Sequence, residues 1–167
     1  MSSKETKIKT LIREYLLDEG ILRENIKDPR LEFGFKFEYP PGKNPLGKPI
    51  GNPFTVVSLK KKNRLDISIN VGIDPKTAKM LESRKTELFN DLKKLFLSMH
   101  VMFNIDVNNY RFNLIDVIYL NNNKLISKNT FYKSVRLLHD AAIHSFIIIG
   151  EYVKQEHDGL DFVFPDR

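Results

Sequence analysis

Apolar side chains recur along this chain with two periods. Ile8, Leu11, Ile12, Tyr15 and Leu16 follow the three-four spacing of an amphipathic helix. Ser2 and Glu5 stand before it with capping-box spacing, and Gly20 suits the position just past its C-terminus. From residue 31 the period drops to two. Leu31, Phe33, Phe35, Phe37 and Tyr39 alternate with Glu32, Gly34, Lys36 and Glu38, which predicts a strand with one buried and one wet face. Residues 54–60 read as a second strand. Leu65, Ile67, Ile69 and Val71 alternate with polar partners as a third, joined to the second by a short lysine-rich turn.

The helical period then returns. Asp74-Pro75 is a helix start, with aspartate as N-cap and proline in the first turn. Ala78, Leu81, Leu88, Leu92, Leu95 and Met99 predict one helix over 75–99. Two further strands are expected over 101–107 and 110–120, the second with a bulge where its apolar phase shifts at Leu114-Ile115. Ser127 caps a last long helix running to about residue 156, with Phe131, Val135, Leu138, Ala142, Ile149 and Tyr152 as its core stripe. The tail over 160–165 is apolar enough to dock. The pattern predicts one α+β domain over 1–167, in the order α-β-β-β-α-β-β-α, with a mainly antiparallel five-stranded sheet packed by helices.

That succession of elements resembles the type III secretion chaperone-like fold, which includes YbjN-type domains. The chain is also similar to members of an uncharacterised archaeal family. The resemblance covers nearly the whole chain and rests on element order. It implies a small homodimer that binds other polypeptides, with the middle helix central to pairing, and it transfers no functional residue.

Composition narrows the chemistry. The 167 residues contain no cysteine, which excludes disulfides, thiolate zinc sites and thiol catalysis. The most apolar run, 141–149, is about half the length needed to span a bilayer. The expectation is a cytoplasmic protein that does not enter membranes. Of the net charge of +6, the segment 31–64 carries an excess of +5, from seven basic and two acidic side chains.

Within that segment, Gly42-Lys43-Asn44-Pro45-Leu46-Gly47-Lys48 satisfies the spacing of a phosphate-binding loop. Pro49 follows where the hydroxyl for magnesium belongs, and a strand follows where the helix belongs, so the P-loop reading fails. Residues 40–53 hold five of the eight prolines and three of the eight glycines, as an extended surface loop would. Lys60, Lys61, Lys62 and Arg64 form a basic cluster at a hairpin tip. With Lys43 and Lys48 they are the candidate nucleic-acid contacts, although the aromatic residues needed for base stacking fall on the face assigned to the core.

The four histidines, His100, His139, His144 and His157, carry no paired metal-binding motif. Arg136, Asp140 and His144 share one helix face, where a hydrogen-bonded ladder explains them more simply than a metal site lacking a third ligand. Asp66, Asp106 and Asp116 lie in strands with no evident acid–base pairing. No cofactor is expected.

The leading reading is a non-catalytic protein-interaction or chaperone-like domain that forms a homodimer and can bind a further polypeptide. Its candidate contact residues are Leu88, Phe89, Leu92, Leu95 and Phe96 on the middle helix and Ile143 and Ile147 on the last. The last helix is apolar nearly all round, more than one sheet face can cover. The alternatives are a nucleic-acid-binding protein using 43–64, and an enzyme whose site carries no recognised motif.

Overall fold

The computed structural model describes residues 6–123 and 125–161, with side chains as far as 157. The proposed cap at Ser2 and Glu5 and the apolar tail beyond 161 lie outside the described residues. The elements are α1 (Lys7–Asp18), β1 (Leu22–Asn25), β2 (Leu31–Tyr39), β3 (Asn52–Leu59), β4 (Arg64–Gly72), α2 (Pro75–Met80), a 3-10 turn (Glu82–Arg84), α3 (Lys85–Ser98), β5 (Met102–Asp106), β6 (Arg111–Tyr119) and α4 (Lys128–Asp161). The fold is α+β with a six-stranded sheet in the order β1-β2-β3-β4-β6-β5.

The sheet has one strand more than the five expected. β1 is four residues long and mostly exposed, and it pairs antiparallel with the β2 edge. The middle helix also differs from the single 75–99 element expected. Asp74 caps α2 through its side chain, accepting from the backbone N–H of Lys76 and Thr77, but the helix stops at Met80 and restarts after the 3-10 turn.

The chain divides into two compact units, Met1–Ile69 with Ile115–His139, and Asn70–Leu114 with Asp140–Arg167. In the first, β2, β3 and β4 pair antiparallel and present Phe33, Phe35, Phe37, Phe54, Val56, Leu65 and Ile67 to the core. Ile8, Ile12 and Leu16 of α1 and Phe131, Val135 and Leu138 of α4 are buried with them. Phe37 stacks on Phe54 at 5.4 Å and meets Phe131 at 6.0 Å. Gly20 does end α1: at φ +67° it lets Ile21 N–H reach the Leu16 carbonyl, closing a Schellman motif. Ser127 accepts from Thr130 N–H and so caps α4 as expected.

β6 does not need the proposed bulge to explain its pattern. Asp116 keeps the phase of Phe112 and Leu114 on the helix-facing side, where the Ser134 hydroxyl of α4 donates to it. A polar residue in an apolar phase, satisfied by a serine, gives the apparent shift.

The second unit packs Leu81, Leu88, Phe89, Leu92 and Phe96 with Tyr110, Phe112 and Leu114, and with Ala141, Ala142, Ile149 and Tyr152 of α4. Phe96 lies 5.6 Å from Phe103 and 5.3 Å from Phe112, and Phe89 lies 5.8 Å from Tyr110. α3 ends in a second Schellman motif, with His100 at φ +56° and Val101 N–H donating to the Phe96 carbonyl.

Candidate functional site

The candidate contact residues of α3 are committed to this core. Leu88, Phe89, Leu92 and Phe96 are fully buried, and Leu95 is half-buried. Side chains that already fill the interior present no face to a partner, so the expected pairing surface on the middle helix is corrected. Leu97 is the large apolar residue that α3 does expose.

The helix α4 is not covered all round. Its inner face holds Ala141, Ala142, Ser145, Ile149 and Tyr152, with the Ser145 hydroxyl donating back to the Ala142 carbonyl. Its outer face leaves Ile143 39%, Phe146 42% and Ile147 53% exposed. These three sit at i, i+3 and i+4, so they adjoin on the helix surface. Gly150 continues the same face one turn on and is also exposed. A Cβ built there would meet nothing within 4 Å. Glycine inside a helix costs about 1 kcal/mol relative to alanine, and no contact among the described residues requires it.

The inner face is held firmly. The Tyr152 hydroxyl donates to Asp91 at 2.7 Å, the Arg84 guanidinium lies 4.2 Å over the Tyr152 ring, and Arg84 Nη1 donates to Gln155. Burial pushes the Tyr152 hydroxyl well above the usual tyrosine range and its bond to Asp91 adds to this, so it stays a donor. Tyr110, buried and donating to Glu82, is likewise pushed up to about 12.

The basic residues form no single surface. Lys60, Lys61 and Lys62 are exposed at the turn between β3 and β4, while Arg64 is half-buried, with Nε 2.9 Å from Asp66 Oδ1 and Nη2 donating to Oδ2 at 3.1 Å. Lys43 and Lys48 are exposed beyond the other end of β3. Eight residues of strand separate the two groups by roughly 25 Å. The loop carrying Lys43 and Lys48 is more ordered than a bare connection: Asn44 Oδ1 accepts from Leu46 and Lys48 N–H, and Asn44 N–H donates to the Lys48 carbonyl. The aromatic residues Phe33, Phe35, Phe37 and Phe54 are buried, as the alternation predicted.

The groups considered for catalysis are each engaged structurally. Asp66 pairs with Arg64 on the outer sheet face, whereas Asp116 bonds Ser134 on the helix-facing side. Asp106 accepts from the N–H and the side chain of Asn109 within its own turn, which holds its carboxyl below the usual range. His144 is exposed, and no group of three potential metal ligands gathers among the described residues.

Two of the open basins gather polar side chains. In the first unit, one of about 410 Å³ is lined by Glu19, Tyr39, Pro41, Lys128, Asn129, Tyr132 and Arg136. Lys128 is paired there with Glu19 at 2.7 Å, and the Tyr132 hydroxyl donates to the Tyr15 carbonyl. In the second unit, one of about 510 Å³ lies over Asn70, Asn104, Asp106, Arg111 and Asn113, with Asn113 donating to Asn70. Neither brings a nucleophile to a base. No helix among the described residues is long and apolar enough to cross a membrane.

The fold recurs among solved structures. An uncharacterized protein from Methanothermobacter thermautotrophicus superposes with a TM-score of 0.71 at 18% identity, over 86% of this chain and 97% of that one. YbjN from E. coli is similar with a TM-score of 0.48 at 14% identity, over 92% and 97%. The first of these shares the fold with this chain, in keeping with the similarity to uncharacterised proteins that the element order suggested. No curated protein matches the chain. Residues 8–149 match the family described as "Uncharacterized conserved protein (DUF2299)", and the chain belongs to that family.

Proposed function

We propose that this protein is a non-catalytic interaction domain of the cytoplasm that works by presenting the outer face of α4 to an apolar surface of another polypeptide. One observation carries the reading: Ile143, Phe146 and Ile147 stay 39–53% exposed on a helix whose opposite face is fully packed. Three adjoining large apolar side chains left in water at the middle of a long helix mark a contact surface rather than a scatter of exposed residues. The rigid packing of the inner face supports it, because a preformed helix face binds without an ordering cost.

The chaperone-like side of the reading is a helix-in-groove or helix-on-helix mode, which uses anchors at i, i+3 and i+4. The experiment compares the full chain with Ile147→Lys. Association, measured as captured polypeptide or as self-association in light scattering, is expected to fall sharply in the variant while its unfolding curve stays close to wild type. Association unchanged by the lysine would refute α4 as the binding face.

A further inference from the structure

We infer that the occupant of this face is a second copy of the chain, packed antiparallel across a two-fold axis that passes beside Ile147, with Gly150 at the point of closest approach. The inference rests on the interaction reading above and adds the partner and the register.

Two observations beyond the exposed apolar residues carry it. The first is Gly150. Its missing side chain serves no neighbour among the described residues, since a Cβ would meet nothing within 4 Å. Yet it occupies a helix interior, where glycine is among the poorest residues, on the same face as Ile143 and Ile147. A bare backbone at that place is useful to something that arrives from outside and comes close.

The second is the placement of charge about Ile147. Asp140 stands seven residues before it and Lys154 seven after. Seven residues are two turns, so all three lie within about 20° of one meridian and the charges sit about 10 Å to either side. Both are exposed. A two-fold axis beside Ile147 turns one helix end for end against the other. It brings Asp140 of one copy beside Lys154 of the other, and the same pair recurs on the far side.

In that register the apolar residues also fit. Ile147 meets its own counterpart. Ile143, four residues before the axis, comes over the bare backbone of Gly150, three residues after it in the partner copy. Large side chain over glycine is how two helices approach closely. A parallel arrangement would set Asp140 against Asp140 and Lys154 against Lys154.

The chain contains no cysteine, so engineered thiols report on this contact alone. Ile147→Cys in the full chain is expected to form an intermolecular disulfide at micromolar concentration under mild oxidation, much faster than Leu97→Cys, a still more exposed apolar position on α3. Ile143→Cys with Gly150→Cys in one chain is expected to cross-link as well, since the two lie too far apart along one helix to bridge within it. Lys154→Asp is expected to weaken pairing by about tenfold, and Asp140→Lys combined with Lys154→Asp to restore most of it.

A single-chain mass for the wild type at micromolar concentration overturns the inference. So do equal cross-linking rates at 147 and 97, or a charge swap that restores nothing. A monomer that still captures another polypeptide, and loses it with Ile147→Lys, sinks the self-pairing and leaves the interaction reading standing. A wild type that neither pairs nor captures sinks both.

Discussion

Tyr152 and Asp91 are joined by a hydrogen bond of 2.7 Å that fixes the inner face of α4 against α3. That bond is the first cause of the lowered Asp91 carboxyl, with Lys94 as the second. The Tyr152 ring is buried beneath the Arg84 guanidinium, so the hydroxyl has little freedom to turn elsewhere. Tyr152→Phe removes the donor and keeps the ring. Because the folded state holds Asp91 below its ordinary range, the stabilisation is complete at neutral pH and is lost as the pH falls through and below the carboxylate range. The variant is therefore expected to melt below wild type at pH 7, with the gap closing toward pH 3. Thermal melts of both proteins across that range check it; a gap that is constant with pH would mean that the hydroxyl acts only by packing.

The burial of α3 makes a second prediction, which separates core from contact surface. Leu92 is fully buried beside Phe89 and Phe96. Leu92→Ala opens a cavity and is expected to cost about 2–5 kcal/mol, read from urea melts. Its association, measured by light scattering under conditions where it remains folded, is expected to match wild type. Ile147→Lys is expected to show the reverse, little change in the melt and a loss of association. A Leu92→Ala protein that folds normally but no longer associates would return the binding face to the middle helix.

Which parts of this molecule the sequence reveals depends on how many signals coincide. β2 is legible because strict alternation over nine residues leaves one interpretation. The ends of α1 and α4 are legible because Gly20 and Ser127 each satisfy backbone groups in the way their chemistry suggests. β1 has no such mark: Arg23, Glu24 and Asn25 are polar on both faces, and a short edge strand pairs through its backbone. The break at Leu81 is hidden because the apolar spacing continues through it, although Lys85 interrupts the stripe nearby. The candidate face divides on the same ground. Periodicity finds Leu88 and Ile147 equally, as apolar residues on helices, but only the packing of neighbouring elements decides which one is buried. Gly150 is legible as a glycine inside a strong helical pattern, but only the structure shows which face it lies on.

The lysine-rich turn bears on the alternative of nucleic-acid binding. Lys60, Lys61 and Lys62 are exposed, but Lys43 and Lys48 lie a strand's length away and the aromatics face inward. Three cations at one tip can neutralise only a few phosphates. Binding to single- or double-stranded DNA is expected to be weak, indifferent to sequence and strongly salt-dependent, and replacing all three lysines with glutamine should reduce the slope of log K against log salt by about two to three. Fluorescence anisotropy across a salt series measures it. Tight binding at physiological salt with a sequence preference would require a surface that this arrangement does not provide.

The last prediction concerns Gly51, at the loop end of the β2–β3 hairpin. It precedes Asn52, the residue paired with Tyr39 in the antiparallel register. A Cβ at position 51 would stand 2.7 Å from Tyr39 N, 2.8 Å from the Glu38 carbonyl carbon and 2.8 Å from the Pro40 carbonyl oxygen. All three are backbone atoms of the facing strand and its continuation, so no rotamer change relieves the contact. Gly51→Ala must therefore separate the strand ends, at an expected cost of about 1–3 kcal/mol, as for other overpacked sites. Gly47, on the same loop, supplies the comparison. Nothing lies within 4 Å of its Cβ position, but its φ is +75°, so alanine there carries only the left-handed backbone penalty of about 1–2 kcal/mol. The two expected losses of stability overlap, and amide exchange tells the variants apart. Gly51→Ala is expected to speed exchange at Tyr39 and Asn52, where the strands pair, and Gly47→Ala to confine its effect to Leu46 and Lys48, whose N–H groups bond Asn44. Unchanged protection at Tyr39 in Gly51→Ala would show that the hairpin end yields without cost, and that the close approach is not what selects glycine there.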